Sequence, residues 1–431
     1  MADAWENWSG RLRFTPAEMA LPRDEAELGN AIREAASRGR CVRPVGSGHS
    51  FTDLVQTPDV LVSLDKMQGL IDVDKTTLRA TAWAGTKLWQ FNPILDEHGL
   101  AMENLGDINK QSLGGALGTG THGTGATLGS LATQTRGLTL VTASGETISC
   151  SETDNKDLFK AAQVSVGALG IVTRFVFQHV PAYKLHHVHG PAPFEECVAN
   201  AGDYAKQNRH FEFYLFPHTD TVMTKFLNIT DKPVTDKPIR KWLNDVLLEN
   251  HLFGLTAKLC RNKPSRCAGM SRFAAKCVSP GSEINTNHRV LCTPRLVRFN
   301  EMEYALPVEH GLTAIRELKE YIARENVEVQ FPIEFRYIKG DDIWLSPFYG
   351  RDSVTISIHQ FQGMEYQRYF RGAETIFRKH EGRPHWGKLH YLTARELEGL
   401  YPRWGDFQKI RNEIDPNGVF LNAHLRTLFV V

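Results

Sequence analysis

Arg43-Pro44-Val45-Gly46-Ser47-Gly48-His49-Ser50-Phe51 is the stretch on which the reading of this chain turns. It follows Arg40-Cys41-Val42, which reads as a short strand. Pro44 fixes the backbone. Gly46 and Gly48 carry no Cβ, so successive N–H groups can turn inward and meet a ligand closely. His49 is the one side chain here that can act as base and nucleophile near neutral pH. A concave run of N–H groups suits a pyrophosphate, and a histidine beside it can meet the rest of the same molecule.

Gly-Ser-Gly is also an ordinary turn. The spacing is neither the Gly-x-Gly-x-x-Gly of a doubly wound dinucleotide fold nor a phosphate loop ending in Gly-Lys-Ser/Thr. A second cluster favours the ligand reading. Gly114-Gly115-Ala116-Leu117-Gly118-Thr119-Gly120-Thr121-His122-Gly123-Thr124-Gly125 has almost no side-chain bulk. Glycine costs about 1 kcal/mol per residue inside an element, so neither helix nor ordinary strand is expected there. The composition makes room for a large flat ligand held by backbone groups.

The chain has 431 residues, which predicts two domains or one two-lobed unit. A net charge of +1 implies neither a nucleic-acid nor an acidic partner globally. The acidic, polar start Met1-Ala2-Asp3-Ala4-Trp5-Glu6 is unlike a secretory signal. No apolar run approaches the roughly 20 residues of a membrane span. The seven cysteines are odd in number and form no Cys-x-x-Cys. Reduced thiols in a cytoplasmic protein are expected, not a disulfide frame or a zinc site.

Asp24 to Gly39 and Lys87 to His98 read as helices, the latter despite Pro93. Residues 60–64, 78–83 and 171–180 read as strands, 137–150 as a hairpin and 157–164 as a short helix. Strands and helices together predict an α+β first lobe ending near Pro181. In the second lobe Phe211 to Leu215 reads as a strand. Between Asp231 and Cys277 lie Lys237, Arg240, Lys241, Lys258, Arg261, Lys263, Arg266, Arg272 and Lys276. A nucleic-acid surface is one reading; a solvated helical face fits the balanced total charge better. Val308, Leu312, Ile315, Leu318 and Ile322 form a helical stripe read as core.

Two later strands carry the candidate chemistry. Val329, Phe331, Ile333, Phe335 and Tyr337 alternate with Gln330, Glu334 and Arg336. Val354, Ile356 and Ile358 alternate with Thr355, Ser357 and His359. Glu334 and Arg336 share a face, about 6.6 Å apart along the strand. If the strands share a sheet, an acid, a guanidinium and an imidazole converge. A surface ion pair on a wet sheet face is the bland alternative. His186-His187-x-His189 lacks an adjacent carboxylate or cysteine in sequence. His385 and His390 flank Lys388, but Pro384 and Gly387 argue against a helix that would align them. No metal site is expected.

These two glycine segments, with Ser165-Val166-Gly167-Ala168-Leu169-Gly170-Ile171-Val172, resemble the FAD-binding domain of the vanillyl-alcohol oxidase/p-cresol methylhydroxylase (PCMH) flavoproteins. Within them the chain is similar to the sugar-1,4-lactone oxidases, with the alditol oxidases as cousins. Arg383-Pro384-His385-Trp386-Gly387-Lys388 and Asp415-Pro416-Asn417-Gly418-Val419-Phe420-Leu421-Asn422 match that subgroup. The resemblance implies a two-lobed α+β fold: a PCMH-type FAD-binding domain over 1–181, and a cap or substrate domain on an antiparallel sheet over 182–431. The part from about 383 to 431 returns to the flavin site.

The resemblance also assigns roles. FAD would be held by Pro44, Val45, Gly46, Ser47, Gly48, His49, Ser50, Gly106, Asp107, Ser112, Gly115, Gly118, Thr119, Thr121, His122, Gly123, Gly170 and Ile171. His49 matches the histidine that many relatives link covalently to the 8α carbon of the flavin. Glu334, Arg336, His359 and Lys388 are the implied catalytic set. Glu334 would orient the substrate hydroxyl, and Arg336 and Lys388 would stabilise negative charge on the reduced ring. His359 is the candidate base. Gly106 falls where a small residue faces the flavin and is associated with oxygen access. Asp107 and His359 replace Ser and Thr of the alditol-oxidase pattern, which favours a lactone over a linear polyol. The implied activity is oxidation of an aldono-1,4-lactone at C2, with O2 giving hydrogen peroxide. Alternatives are an alditol or sugar oxidase, and a lactone dehydrogenase with another acceptor. A metal-dependent hydrolase and a nucleotide-binding module are rivals from other classes, and a yellow colour bleached by substrate separates them.

Overall fold

The computed structural model describes residues 3–235, 253–293 and 295–430. It opens with a hairpin of β1 (Trp5–Glu6) and β2 (Arg13–Phe14). A parallel sheet follows, with β3 (Glu18–Ala20), β4 (Val42–Val45) and β5 (Val60–Ser63) in the order β3-β5-β4. Between them α1 (Glu25–Ser37) is capped by Asp24, whose carboxylate accepts from the Glu27 N–H at 2.7 Å. Its Leu28, Ile32 and Ala35 are buried.

A five-stranded antiparallel sheet comes next. It comprises β6 (Leu70–Asp74), β7 (Arg79–Trp83), β9 (Thr135–Val141), β10 (Thr147–Ser151) and β11 (Ile171–Gln178), in the order β10-β9-β11-β7-β6. Helix α2 (Leu88–Glu97) keeps Pro93 inside it, and β8 (Leu100–Ala101) pairs with β12 (Val180–Pro181). The composition of 114–125 argues against a helix, yet α3 (Leu113–Gly118) is one. It is pinned from outside. The Ser112 hydroxyl accepts from the Gly115 N–H, and the N–H groups of Leu113 and Gly114 donate to Thr86 O and Ala84 O at 2.8 Å. Tertiary hydrogen bonds override the poor propensity of glycine.

The remaining strands build one large sheet. They are β13 (Lys184–Pro193), β14 (His210–Leu215), β15 (Thr221–Ile229), β16 (Gly281–Thr286), β17 (Phe299–Pro307), β18 (Ile333–Ile338), β19 (Ser353–Phe361) and β20 (Arg383–Pro384). Their order is β16-β13-β15-β14-β18-β19-β17-β20, all antiparallel. The strand expected from Val329 begins only at Ile333, after Pro332, since proline supplies no N–H to a ladder. The helix from Val308 to Arg324 packs through Gly311, Ala314, Ile315, Leu318 and Ile322 against β19 and β17. Val308 itself, expected in that stripe, is 38% exposed, at the first position of the helix. Of the basic region, Lys237, Arg240 and Lys241 lie outside the described residues.

The C-terminal tail returns to the first glycine loop. Val42 N donates to Val419 O at 2.8 Å, and the Asn422 side-chain amide donates to the carbonyls of Asp53, Leu54 and Gln56. Arg43, only 1% exposed, sits at the centre of this junction. Its guanidinium donates to the carbonyls of Leu54 (2.7 Å), Val166 (2.8 Å), Gly167 (3.0 Å) and Phe420 (2.5 Å). Burial lowers its pKa to about 10, yet it stays cationic at neutral pH. Arg43→Ala strands four carbonyls, so we expect a loss of about 3–5 kcal/mol in urea unfolding. A loss below about 1 kcal/mol, the size of a typical substitution, would show that other contacts hold the tail.

Candidate active site

Beyond Val45 the chain leaves β4 and exposes a row of donors. Among the described residues, the N–H groups of Gly46, Ser47, Gly48, His49 and Ser50 donate to no protein acceptor, whereas Phe51 N donates to Gly387 O at 2.7 Å. Gly48 has φ +70°, a conformation that favours glycine. A Cβ on Gly46 would stand 2.1 Å from Ser112 Oγ, so only glycine lets the loop meet the start of α3. The cleft here is lined by residues 43–50, 84–85, 111–112, 114–115, 118–119, 165–167 and 170–172, among others. Ser47 Oγ and His49 Nδ1 are buried in it without hydrogen-bond partners. Such atoms call for a ligand. The His49 ring stacks on Trp8 with centroids 5.6 Å apart. Burial, then Lys388 and Lys110, lowers its pKa to about 4, which leaves it a neutral imidazole at pH 7.

The second half of the site is one face of the large sheet. Directly opposed residues of antiparallel strands share a face. One row across it is Lys225, Glu212, Arg336 and Thr355; the next is Tyr214, Glu334, Ser357 and Glu303; a third holds His359 and Glu301. The bland surface reading fails, because Glu334 and Arg336 are 6% and 7% exposed. Arg336 lies 2.6 Å from Glu334, 2.9 Å from Glu212 and 3.1 Å from Asp107. Asp107, from the loop before α3, also meets Arg295 at 2.8 Å. Burial opposes ionisation of Asp107, but Arg336 and Arg295 outweigh it and hold the carboxyl well below the usual range. Glu334 goes the other way. Burial raises it, Asp107 and Glu212 add to the rise, and Arg336 only partly offsets them.

His359 shares this face but its partner is Glu301, at 3.5 Å, rather than Glu334 or Arg336. Its Nδ1 faces Pro332 O at 3.3 Å, and its Nε2 is the atom turned to Glu301. Lys388 forms an ion pair with the other oxygen of Glu301. Burial would raise Glu301, but Lys388 and His359 bring it to about 2. Glu301 therefore couples the expected base to the expected cation.

His122, in the second glycine run, makes a backbone contact. It does so through Nδ1, 2.8 Å from Gly123 O, but its Nε2 also lies 2.5 Å from Glu303. Both partners are acceptors; burial opposes ionisation of Glu303, but His122, then His385 and Lys388, hold its carboxyl well below the usual range. The donor atoms of His122, Glu303 and His385 lie within 4.8 Å of one another. His385 Nδ1 accepts from the Gly387 N–H at 3.0 Å, so its proton sits on Nε2 and no lone pair remains for a metal. The structure also places Glu283 3.8 Å from His187, a neighbour that the sequence spacing of the histidines did not reveal.

The other expected residues divide by location. Ser112, Gly115, Gly118, Thr119, Gly170 and Ile171 line the cleft with 44–50. Gly106, Asp107, Thr121, His122 and Gly123 are outside that lining. A Cβ on Gly106 would stand 2.9 Å from His122 O, and one on Gly123 2.1 Å from Leu105 O. Both glycines are required by this close backbone approach, whatever oxygen does at Gly106. Glu212, Tyr214, Lys225, Arg295, Glu301, Glu303 and Trp8 were not identified from sequence. Glu301 and Glu303 alternate with Met302 and Tyr304 in β17, and that period of two was the available signal.

Comparison with known proteins places this geometry. Residues 16–151 match the FAD binding domain model, and residues 175–428 match that of D-arabinono-1,4-lactone oxidase. An L-gulono-1,4-lactone dehydrogenase from Mycobacterium tuberculosis is 39% identical over 428 residues, covering 99% of both chains. An L-gulonolactone oxidase from Scyliorhinus torazame is 34% identical over 100% of this chain and 99% of its own. An alditol oxidase from a Streptomyces species is 30% identical over 99% of both. A solved solvent-stable cholesterol oxidase, 19% identical, shares the fold with a TM-score of 0.84 over 99% of this chain and 97% of its own. FAD fits the residues present: five unused N–H donors for its pyrophosphate, a cradle only glycine permits, and the unpartnered His49 Nδ1. The chain belongs to the D-arabinono-1,4-lactone oxidase family and is an FAD-dependent oxidoreductase acting on CH–OH groups.

Proposed function

We propose that this protein oxidises an aldono-1,4-lactone at its C2 hydroxyl, with dioxygen as acceptor and hydrogen peroxide as product. Residues 1–181 hold FAD, in a covalent link through His49, and residues 182–431 form the substrate lobe. The observation that carries the reading is the sheet face on which Arg336, Glu334 and His359 lie together with Lys388. When bound, FAD supplies the acceptor for the carbon-bound hydride. Arg336 and Glu334 bind and orient the substrate oxygens. His359 Nε2 takes the hydroxyl proton, and Glu301 stabilises the imidazolium that forms. Lys388 and Arg336 keep positive charge fixed in a buried site, where it is worth more than in water. The names of the 39% and 34% identical relatives support a lactone over a linear polyol.

No helix among the described residues is long and apolar enough to cross a membrane, and all seven cysteines are free of disulfides. We place the protein in the cytoplasm on that basis. The Mycobacterium relative is named a dehydrogenase, which favours a second reading in which a carrier replaces dioxygen.

An anaerobic bleaching panel tests the substrate. Gulono-, galactono-, arabinono- and gluconolactones are compared with xylitol, and air is then admitted. We expect at least one 1,4-lactone to bleach the flavin faster than xylitol, and air to restore the colour with peroxide. Bleaching by xylitol alone would contradict the substrate, and recovery only with an added dye would support the dehydrogenase. For the link, acid precipitation should leave the flavin on wild type and release it from His49→Ala. Release of all flavin from wild type would disprove attachment. Arg336→Ala should slow anaerobic reduction by about a hundredfold or more; an unchanged rate would remove it from the site.

A further inference from the structure

Two helices of the second lobe differ in charge from the rest of the chain. They are α6 (Phe253–Asn262) and α7 (Cys267–Cys277), which follow α4 (Lys156–Ala162) and α5 (Phe194–Gln207). Between residues 253 and 277 stand six cations, Lys258, Arg261, Lys263, Arg266, Arg272 and Lys276, and no Asp or Glu. The whole chain is balanced, with 50 Lys+Arg against 49 Asp+Glu. All six cations are exposed. A solvated helical face accounts for the charge but not for what stands among it.

In α6 the side turned inward carries Ala257 and Cys260. The opposite stripe, at i, i+3, i+4 and i+7, is Leu255, Lys258, Leu259 and Asn262. Leu255 is 56% exposed and Leu259 38%. In α7, Ser271 and Ala275 are buried, while Arg272, Phe273 and Lys276 face out, Phe273 at 49% exposure. Arg261 also covers the Phe361 ring. Glu328 is the acid near enough to Cys267 to raise its thiol, and it lies outside these helices. Large apolar side chains interleaved with cations on the solvent side are the composition of helices that lie in a membrane interface. Two protruding leucines have no role on a nucleic-acid surface, where cations meet phosphates and only aromatic rings stack on bases.

We propose that the solvent sides of these two helices dock on an anionic lipid surface. The lysines and arginines meet the headgroups, and Leu255, Leu259 and Phe273 enter the interfacial layer. The attachment is peripheral, since no described helix can span a bilayer. It depends on salt, because exposed charges are screened.

The test is sedimentation of the holoprotein with vesicles of phosphatidylcholine alone and of phosphatidylcholine mixed with phosphatidylserine, at low and high salt. We expect sedimentation only with the anionic vesicles at low salt. Leu255→Ser/Leu259→Ser/Phe273→Ser should weaken it about tenfold or more, with melting temperature and flavin content unchanged. Lys258→Glu/Arg272→Glu/Lys276→Glu should abolish it, and serves if the serine variant does not fold. No sedimentation with either vesicle, or serine-variant binding equal to wild type, would overturn the proposal. Retention on immobilised polyglutamate equal to that on anionic vesicles, and indifferent to the serine substitutions, would identify an acidic protein as the partner instead and overturn the lipid.

Discussion

Arg336 is buried between Glu334, Glu212 and Asp107, and a charge so placed stands only where each of its neighbours is also paired. Lys225 meets Glu212 at 3.2 Å, and Arg295 meets Asp107. The demand for partners reaches across the sheet to β15 and outward to the loop before α3. It explains why a strand face that would ordinarily be apolar is filled with acids. Glu334 carries the residual tension of the cluster, since it shares one guanidinium with two better-ionised carboxylates.

The first glycine loop is held by backbone carbonyls rather than by ion pairs. Arg43 gathers four carbonyls from three distant segments beneath the glycine loop. Gly387, next to Lys388, accepts the N–H that closes the loop at Phe51. The residue expected to bind the flavin and the cation expected at its far end are thus fixed by one chain crossing. Trp8 stacks on His49 and packs edge-on against Phe299, Phe51 lies under Lys388 and stacks on Phe299, and Phe299 packs edge-on against His359.

What could be read from sequence follows from these physics. The 43–51 loop was legible because two glycines and a proline have few other reasons to precede a histidine. Glu334 and Arg336 were legible because alternation put them on one face. The flavin-family likeness supplied Lys388, which no local pattern marks. Glu301, Glu303 and Glu212 were not found, because an acid in an alternating strand ordinarily faces water, and only the pairing order shows that this face is covered. The helix at Leu113–Gly118 was invisible locally, since its stability comes from Thr86, Ala84 and Ser112. The late start of β18 follows from Pro332, whose missing N–H was visible but was outweighed by the apolar alternation around it.

The central claim is that the donor row at Gly46–Ser50 and the charged sheet face are two ends of one site. A crystal structure of the flavin-loaded protein with an unreactive lactone analogue tests it directly. The account predicts pyrophosphate on the N–H groups of residues 46–50, the ring between His49 and Lys388, and the analogue's hydroxyl against Arg336 and His359. A pyrophosphate bound elsewhere, or a ligand that never reaches that face, would contradict it.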